Sequence, residues 1–165
     1  GDIHPIFTTF NDTILLVDKG VKQVSSTVGH NLMIGHPFAE ARFTQAQENM
    51  SHLMPILKKG DLEGFIDIVE KEALSLHAMM MTSDPYFVLM KPNTLEIIER
   101  IWVFRKSSKC HICFTLDAGA NVHVLFPEKD KALVDKFIYT ELAGYCENNQ
   151  FITDHVGAGA KRIST

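Results

Sequence analysis

Lys109-Cys-His-Ile-Cys-Phe-Thr-Leu-Asp117, then Ala118-Gly-Ala-Asn121, then Val122-His-Val-Leu-Phe126: this stretch decides the fold. From Lys109 to Asp117 the pattern alternates. Cys110, Ile112, Phe114 and Leu116 fall on one face, and His111, Cys113, Thr115 and Asp117 on the other. Strand side chains point to opposite faces with period two, so the run reads as a strand burying one face. A second alternating run begins at Val122, and the short glycine-containing segment between them makes the pair a hairpin.

Upstream of the hairpin the period changes. Asn93 with Glu96 resembles a capping box, opening a helix that should carry Leu95, Ile98, Ile101 and Trp102 inward. Before it, Leu62, Phe65, Ile66, Val69, Ala73, Leu76 and Met80 follow the spacing of one helical face, ended by Ser83-Asp-Pro85. Lys58-Lys-Gly-Asp61 is a stop and restart: lysines at a helix C-terminus, a left-handed cap at Gly60, an N-cap at Asp61. A looser helix spans Phe38 to Lys59, and Pro55 should end or kink it. Thr13-Ile-Leu-Leu-Val17 reads as a buried strand with a turn at Asp18-Lys-Gly20. Downstream, a helix from about Lys129 to Cys146 with Leu133, Phe137 and Leu142 among its apolar positions precedes a strand from Phe151 to Val156. Four strands, with helices gathered in two runs, predict an α+β sandwich.

The 165 residues fit one domain without repeats or linkers. A net charge of −4 leaves no electrostatic footprint for a nucleic-acid partner. No run reaches the length of a membrane span or resembles a signal peptide. Three cysteines do not suggest a secreted disulfide framework, so a cytoplasmic location is expected.

Several residues carry chemistry beside a structural reading. Cys110-His-Ile-Cys113 lacks a second ligand pair for zinc, its cysteines face opposite ways, and packing is the preferred reading; no metal site is expected. His77 lies at the rim of its helix's apolar stripe, where a hydrogen-bonded structural imidazole is favoured on pattern alone. Asp117 ends a strand at a small-residue turn. Its carboxylate projects into a cleft with ligand approaching the backbone at Gly119, or Asp and Gly simply build a turn. Lys22, Ser26 and Thr27 are candidate phosphate ligands, although a Ser/Thr run is more often a helix cap. The role of Gly157-Ala-Gly-Ala160 stays open.

Together, Lys22-Gln-Val-Ser-Ser-Thr-Val-Gly29, Leu76-His-Ala78 and Phe114-Thr-Leu-Asp-Ala-Gly-Ala-Asn121 resemble the mevalonate diphosphate decarboxylases of the GHMP kinase superfamily. The resemblance runs from about Thr13 to Gly159 and is to the C-terminal half only. It implies a ferredoxin-like sandwich with a four-stranded, mainly antiparallel sheet. It also implies that residues 1–165 are one substrate-binding and catalytic domain, the N-terminal ATP-binding domain with its Gly-rich loop being absent from this chain.

The family phosphorylates the tertiary hydroxyl of mevalonate 5-diphosphate with ATP and Mg²⁺, then releases phosphate and CO₂ to give isopentenyl diphosphate. The resemblance implies a catalytic role for Asp117, diphosphate contacts at Ser26 with Lys22 nearby, His77 lining the site, and a homodimer. This chain departs from the family at three places: Ala120 stands where Pro is common, Thr82-Ser-Asp-Pro-Tyr86 replaces a Pro-Pro stretch, and Gly35-His-Pro37 replaces Thr-Ser. Ala120 implies a looser turn, and the three bear on substrate identity more than on fold; close relatives that phosphorylate mevalonate species without decarboxylating share much of this architecture, so a kinase that does not decarboxylate is the alternative. A non-catalytic binding or dimerisation module is the reading from another class.

Overall fold

The structure, a computed structural model, describes residues 3–20, 31–157 and 159; Lys22, Ser26 and Thr27 lie outside them. Four strands, β1 (Phe10–Leu15), β2 (Cys113–Leu116), β3 (Val122–Pro127) and β4 (Phe151–His155), form one antiparallel sheet in the order β2-β3-β1-β4. The helices are α1 (Ala39–Lys59), α2 (Leu62–Met81), α3 (Pro92–Ser108) and α4 (Lys131–Phe137), the last continued by a π turn over Ile138–Leu142. The sheet order and connections are those of the expected ferredoxin-like α+β sandwich, with two extra helices, α1 and α2, in the first crossover.

The hairpin forms as its alternation predicts. Phe114 pairs with Val124 and Leu116 with Val122, and one sheet face is completed by Phe126, Thr13 and Leu15. Ile97, Ile98 and Ile101 of α3, with Val134, Phe137, Ile138 and Leu142, close over that face as the main core. Each large apolar side chain buried here contributes roughly 1.5–3 kcal/mol. The opposite face is covered at one end, where Phe10 meets Phe7, Leu62 and Phe65. Helix α2 lies along the outer edge of β2, and α1 packs on the far side of α2.

Gly60 takes the left-handed cap at φ 75°, and the Asp61 side chain accepts from Gly64 N–H at 3.0 Å. Pro55 does not end α1, which continues to Lys59. The carbonyl it leaves without a helical partner belongs to exposed Ser51, where water can reach it.

Other boundaries differ from the sequence reading. Strand β1 starts at Phe10 because its pairing runs on through polar residues: Asn11 is anchored by Glu128 at 2.9 Å, and Asp12 meets His123. Leu16 and Val17 lie beyond the paired strand. The α3 box uses different residues: Lys91 is the N-cap, Pro92 follows, and Thr94 Oγ1 accepts from Lys91 N–H at 3.1 Å. That shift turns Ile97 inward and Leu95 outward. Leu76 and Leu133 are also exposed, against expectation. Trp102 sits half-exposed at the rim, because its indole N–H donates to Glu70 at 2.9 Å. The predicted long last helix widens after α4 into a π turn and then tightens into 3-10 turns, and β4 ends at His155.

Candidate active site

Asp117 follows β2 directly, and the loop to Asn121 is tied at nearly every residue. His77 Nε2–H donates to the Asp117 carbonyl at 3.0 Å, and Gly119 N–H donates to the same carbonyl at 2.8 Å. Thr94 Oγ1–H reaches the Ala120 carbonyl at 2.7 Å, and Asn121 Oδ1 accepts from Asp18 N–H at 3.0 Å. Elements α2, α3 and the segment after β1 thus converge on one turn. The looseness implied by Ala120 in place of Pro is absent: Ala120 is buried and its carbonyl is held.

Gly119 earns its place by close approach. A Cβ there would lie 3.1 Å from Asp117 Oδ1, so any larger residue pushes on the carboxylate. Side chains held by their surroundings keep a carboxylate within the few tenths of an ångström that catalysis requires.

His77 is buried, and it sits beside β2 because α2 runs along that strand's edge. Burial pushes its pKa below the ordinary 6.5, outweighing the opposite pull of its bond to Asp117 and of that residue's charge. The ring is therefore neutral, with its proton on Nε2. Its observed polar contact is with the loop backbone, as the reading of a hydrogen-bonded structural imidazole expects.

A cleft of about 190 Å³ opens beside the loop, lined by Ala118, Gly119, Asn121, Asp18, Lys19 and Lys91. Lys91 Nζ lies 3.6 Å from Asp18 Oδ2, and both groups keep access to solvent. A larger groove of about 760 Å³ runs beside α2, lined by Glu63, Asp67 and Glu70 together with Lys71 and Arg105, the latter already paired with Glu70. Its acidic groups outnumber its basic ones, and it does not touch Asp117.

Thr94, Asp18 and Asn121 were not singled out by the sequence, since their roles depend on segments meeting across the fold. His36 is a further structural residue. Its Nδ1 accepts from Phe38 N–H at 3.1 Å and its Nε2–H donates to the Met79 carbonyl at 3.2 Å, fastening the start of α1 to the end of α2. The Gly35-His-Pro37 departure therefore has a packing reason.

All three cysteines are buried. Burial drives the Cys113 thiol far above its usual range and pushes Cys146 up to about 11, so neither is poised as a thiolate. Among the described residues no three His, Cys, Asp or Glu gather as a metal site, and no helix is long and apolar enough to cross a membrane.

This geometry has relatives. Residues 13–162 match the mevalonate 5-diphosphate decarboxylase C-terminal domain, and the chain belongs to that family. It is 24% identical over 110 residues to the phosphomevalonate decarboxylase of Haloferax volcanii, covering 64% of this chain and 34% of that protein. It is 25% identical over 134 residues to a diphosphomevalonate decarboxylase of Gibberella zeae, covering 79% and 35%. The structure of a mevalonate diphosphate decarboxylase from Legionella pneumophila superimposes with a TM-score of 0.81 at 25% identity, covering 92% of this chain and 47% of that one. Solved structures of the same fold include a complex with MVAPP, AMPPCP and magnesium. The chain thus spans about a third of these curated relatives and about half of the solved one.

Proposed function

We propose that this chain is the C-terminal, substrate-side domain of an ATP-dependent decarboxylase acting on mevalonate 5-diphosphate. The observation that carries the reading is Asp117, a carboxylate at a strand end whose loop is fixed by His77, Thr94 and Asp18. An alcohol is a weak nucleophile, and a positioned carboxylate accepting its hydrogen bond orients it and takes its proton as the new bond forms.

In this reading Asp117 faces the tertiary hydroxyl and Gly119 lets substrate approach the backbone. Ser26, with Thr27 and Lys22 near it, contacts the diphosphate. His77 acts through the loop. ATP supplies the phosphoryl group with Mg²⁺ neutralising its charge, and both are held by a preceding domain. The domain alone is then inactive, and the whole protein is a cytoplasmic homodimer with no nucleic-acid or membrane partner.

The Haloferax relative favours a second substrate, mevalonate 5-phosphate, for the same chemistry. The test uses the full-length protein, wild type beside Asp117→Asn, with ATP, Mg²⁺ and each substrate in turn, following ADP and CO₂ together. Equal ADP and CO₂ are expected from the diphosphate, with both reduced by about 10³-fold or more in the variant, in proportion to removal of a general base. ADP without CO₂ would identify a kinase. Neither product from either substrate would return Asp117 and Gly119 to turn residues.

A further inference from the structure

The cleft beside the Asp117 loop is richer in donors than in acceptors. The loop's acceptors are taken: the Asp117 carbonyl by His77 and Gly119, the Ala120 carbonyl by Thr94, and Asn121 Oδ1 by Asp18 N–H. The N–H groups of Ala118 and Ala120 have no backbone acceptor among the described residues. The charged side chains lining the cleft are two ammoniums, Lys19 and Lys91, and one carboxylate, Asp18. Such a space suits an oxyanion.

The two lysines are held differently. Lys19 Nζ donates to Gln150 Oε1 at 2.5 Å, and Lys19 N–H donates to Glu147 Oε2 at 2.8 Å, which ties that residue to the segment before β4. Lys91 has a fixed backbone and a loosely held head. Its N–H donates to Thr94 Oγ1 at 3.1 Å, and the same hydroxyl donates to the Ala120 carbonyl, so Thr94 links the Lys91 backbone to the loop. Its ammonium lies 3.6 Å from Asp18 Oδ2, longer than a charge-assisted hydrogen bond, and the two side chains are 49 and 41% exposed. A pair of that kind contributes about 0–1 kcal/mol, so the fold does not depend on it. Asp18 has a second anchor, since its Oδ1 accepts from Gly20 N–H at 2.8 Å and stays in place without Lys91. The cleft begins at Ala118 and leaves Asp117 out. A substrate whose hydroxyl meets the Asp117 carboxylate must carry an anionic tail away from that charge, toward these ammoniums.

We propose that Lys91 is a specificity-determining residue: its ammonium leaves Asp18 for the outer phosphate of the substrate's tail and so favours a 5-diphosphate over a 5-phosphate. The proposal rests on the substrate class of the proposed function. A compact ammonium on a flexible stem can make that exchange, and a monophosphate lacks the outer group that rewards it.

Two measurements test it. In the first, inorganic pyrophosphate is titrated into this chain and followed by NMR, with wild type, Lys91→Gln, Lys91→Arg, Asp18→Asn and, on the other groove, Lys71→Gln. Lys91→Gln should weaken binding by about tenfold, the loss of one charge-assisted contact. Lys91→Arg keeps the charge and should stay within about threefold of wild type. Asp18→Asn keeps an acceptor for Gly20 N–H but removes the resting partner, so binding should tighten by roughly two- to fivefold. Lys71→Gln should change nothing. In the second, the full-length protein is given mevalonate 5-diphosphate and mevalonate 5-phosphate in turn with ATP and Mg²⁺. Lys91→Gln should raise KM for the diphosphate by about tenfold with kcat nearly constant, and KM for the monophosphate by less than about threefold. A wild type that binds no pyrophosphate, binding indifferent to Lys91→Gln, or an equal loss in Lys71→Gln overturns the contact. Equal effects on both substrates overturn the discrimination. Turnover of neither substrate fells the proposed function and the discrimination with it, while pyrophosphate binding that depends on Lys91 still upholds the anion contact.

Discussion

Helices α1 and α2 follow one another in the chain and differ by one residue in length, yet α2 buries seven residues and α1 none. Position explains the contrast. Helix α2 is packed on both sides, by α1 and by the β2 edge, whereas among the described residues α1 meets α2 along one side and the N-terminal segment only near its end, at Leu57. A helix enclosed in this way can carry polar groups inward, because the strand beside it supplies partners. Glu70 accepts from Phe114 N–H at 3.4 Å, from Trp102 Nε1–H, and from both terminal nitrogens of Arg105 at 2.6 and 3.0 Å. Seven residues on, His77 holds the carbonyl of Asp117. The same helix therefore satisfies the open edge of the sheet at one turn and positions the loop two turns later. An unpaired strand edge is a template for mispairing, and Glu70 with Arg105, which also donates to the Ile112 carbonyl at 2.8 Å, covers this one.

The sharpest way to break this contrast is Glu70→Ala. It leaves the Arg105 guanidinium, the Trp102 indole N–H and the Phe114 N–H without their carboxylate, and removing one partner of a largely buried pair costs about 3–5 kcal/mol. Urea unfolding should show that loss as a lower midpoint with unchanged slope. Glu72→Ala, on the α1–α2 seam where the carboxylate is 39% exposed, should cost about 1 kcal/mol or less. Equal costs would mean that the two sides of α2 are energetically alike.

His77→Ala should come second, at about 2 kcal/mol, from a small cavity and a carbonyl deprived of its donor. It also predicts a pH effect whose sign is fixed. The folded-state pKa lies below the ordinary 6.5, so the folded protein resists a proton that the unfolded chain accepts. The stabilisation from neutral His77 is complete above pH 6.5. It is lost as the pH falls from there to the lowered folded value. Wild-type stability should therefore decline with acidification across that window, and the variant should show a shallower decline. Identical pH profiles would show that burial of His77 has no such linkage.

Much of this contrast is written in the sequence, and the reasons for the remainder are physical. The α2 stripe, the Lys58–Asp61 junction and the hairpin are visible because their signals are local: periodicity, a left-handed glycine, a strand period of two. The candidate site is legible only in part. Asp117, Gly119 and His77 lie in short motifs, while Thr94, Asp18 and Asn121 meet only once the sheet has formed. Residues that sit half inside a wall are harder still. Trp102 and Leu95 carry the hydropathy of core residues, and neither is buried, because the Thr94 box rotates α3 and the indole N–H needs Glu70. Composition likewise marks Phe43, Met50 and Met54 as apolar without saying whether a core or a second molecule receives them.

The smallest expected effect follows from that ambiguity. Met54→Gln replaces an exposed apolar side chain of α1 with a polar one of similar length and helix propensity. In a dilute monomer the change should lie within about 0.5 kcal/mol of wild type, because no core contact of this domain is lost. Under concentrations that favour association the same substitution should cost more, since a partner bound only to the folded state adds stability by mass action. The informative quantity is the dependence of the difference on protein concentration, read from unfolding curves at two concentrations about a hundredfold apart. A difference that grows with concentration assigns the exposed apolar residues Phe43, Met50 and Met54 of α1 to association. A difference that is large and constant would mean that Met54 serves the fold of one chain, and the contrast between the two helices would then be one of degree.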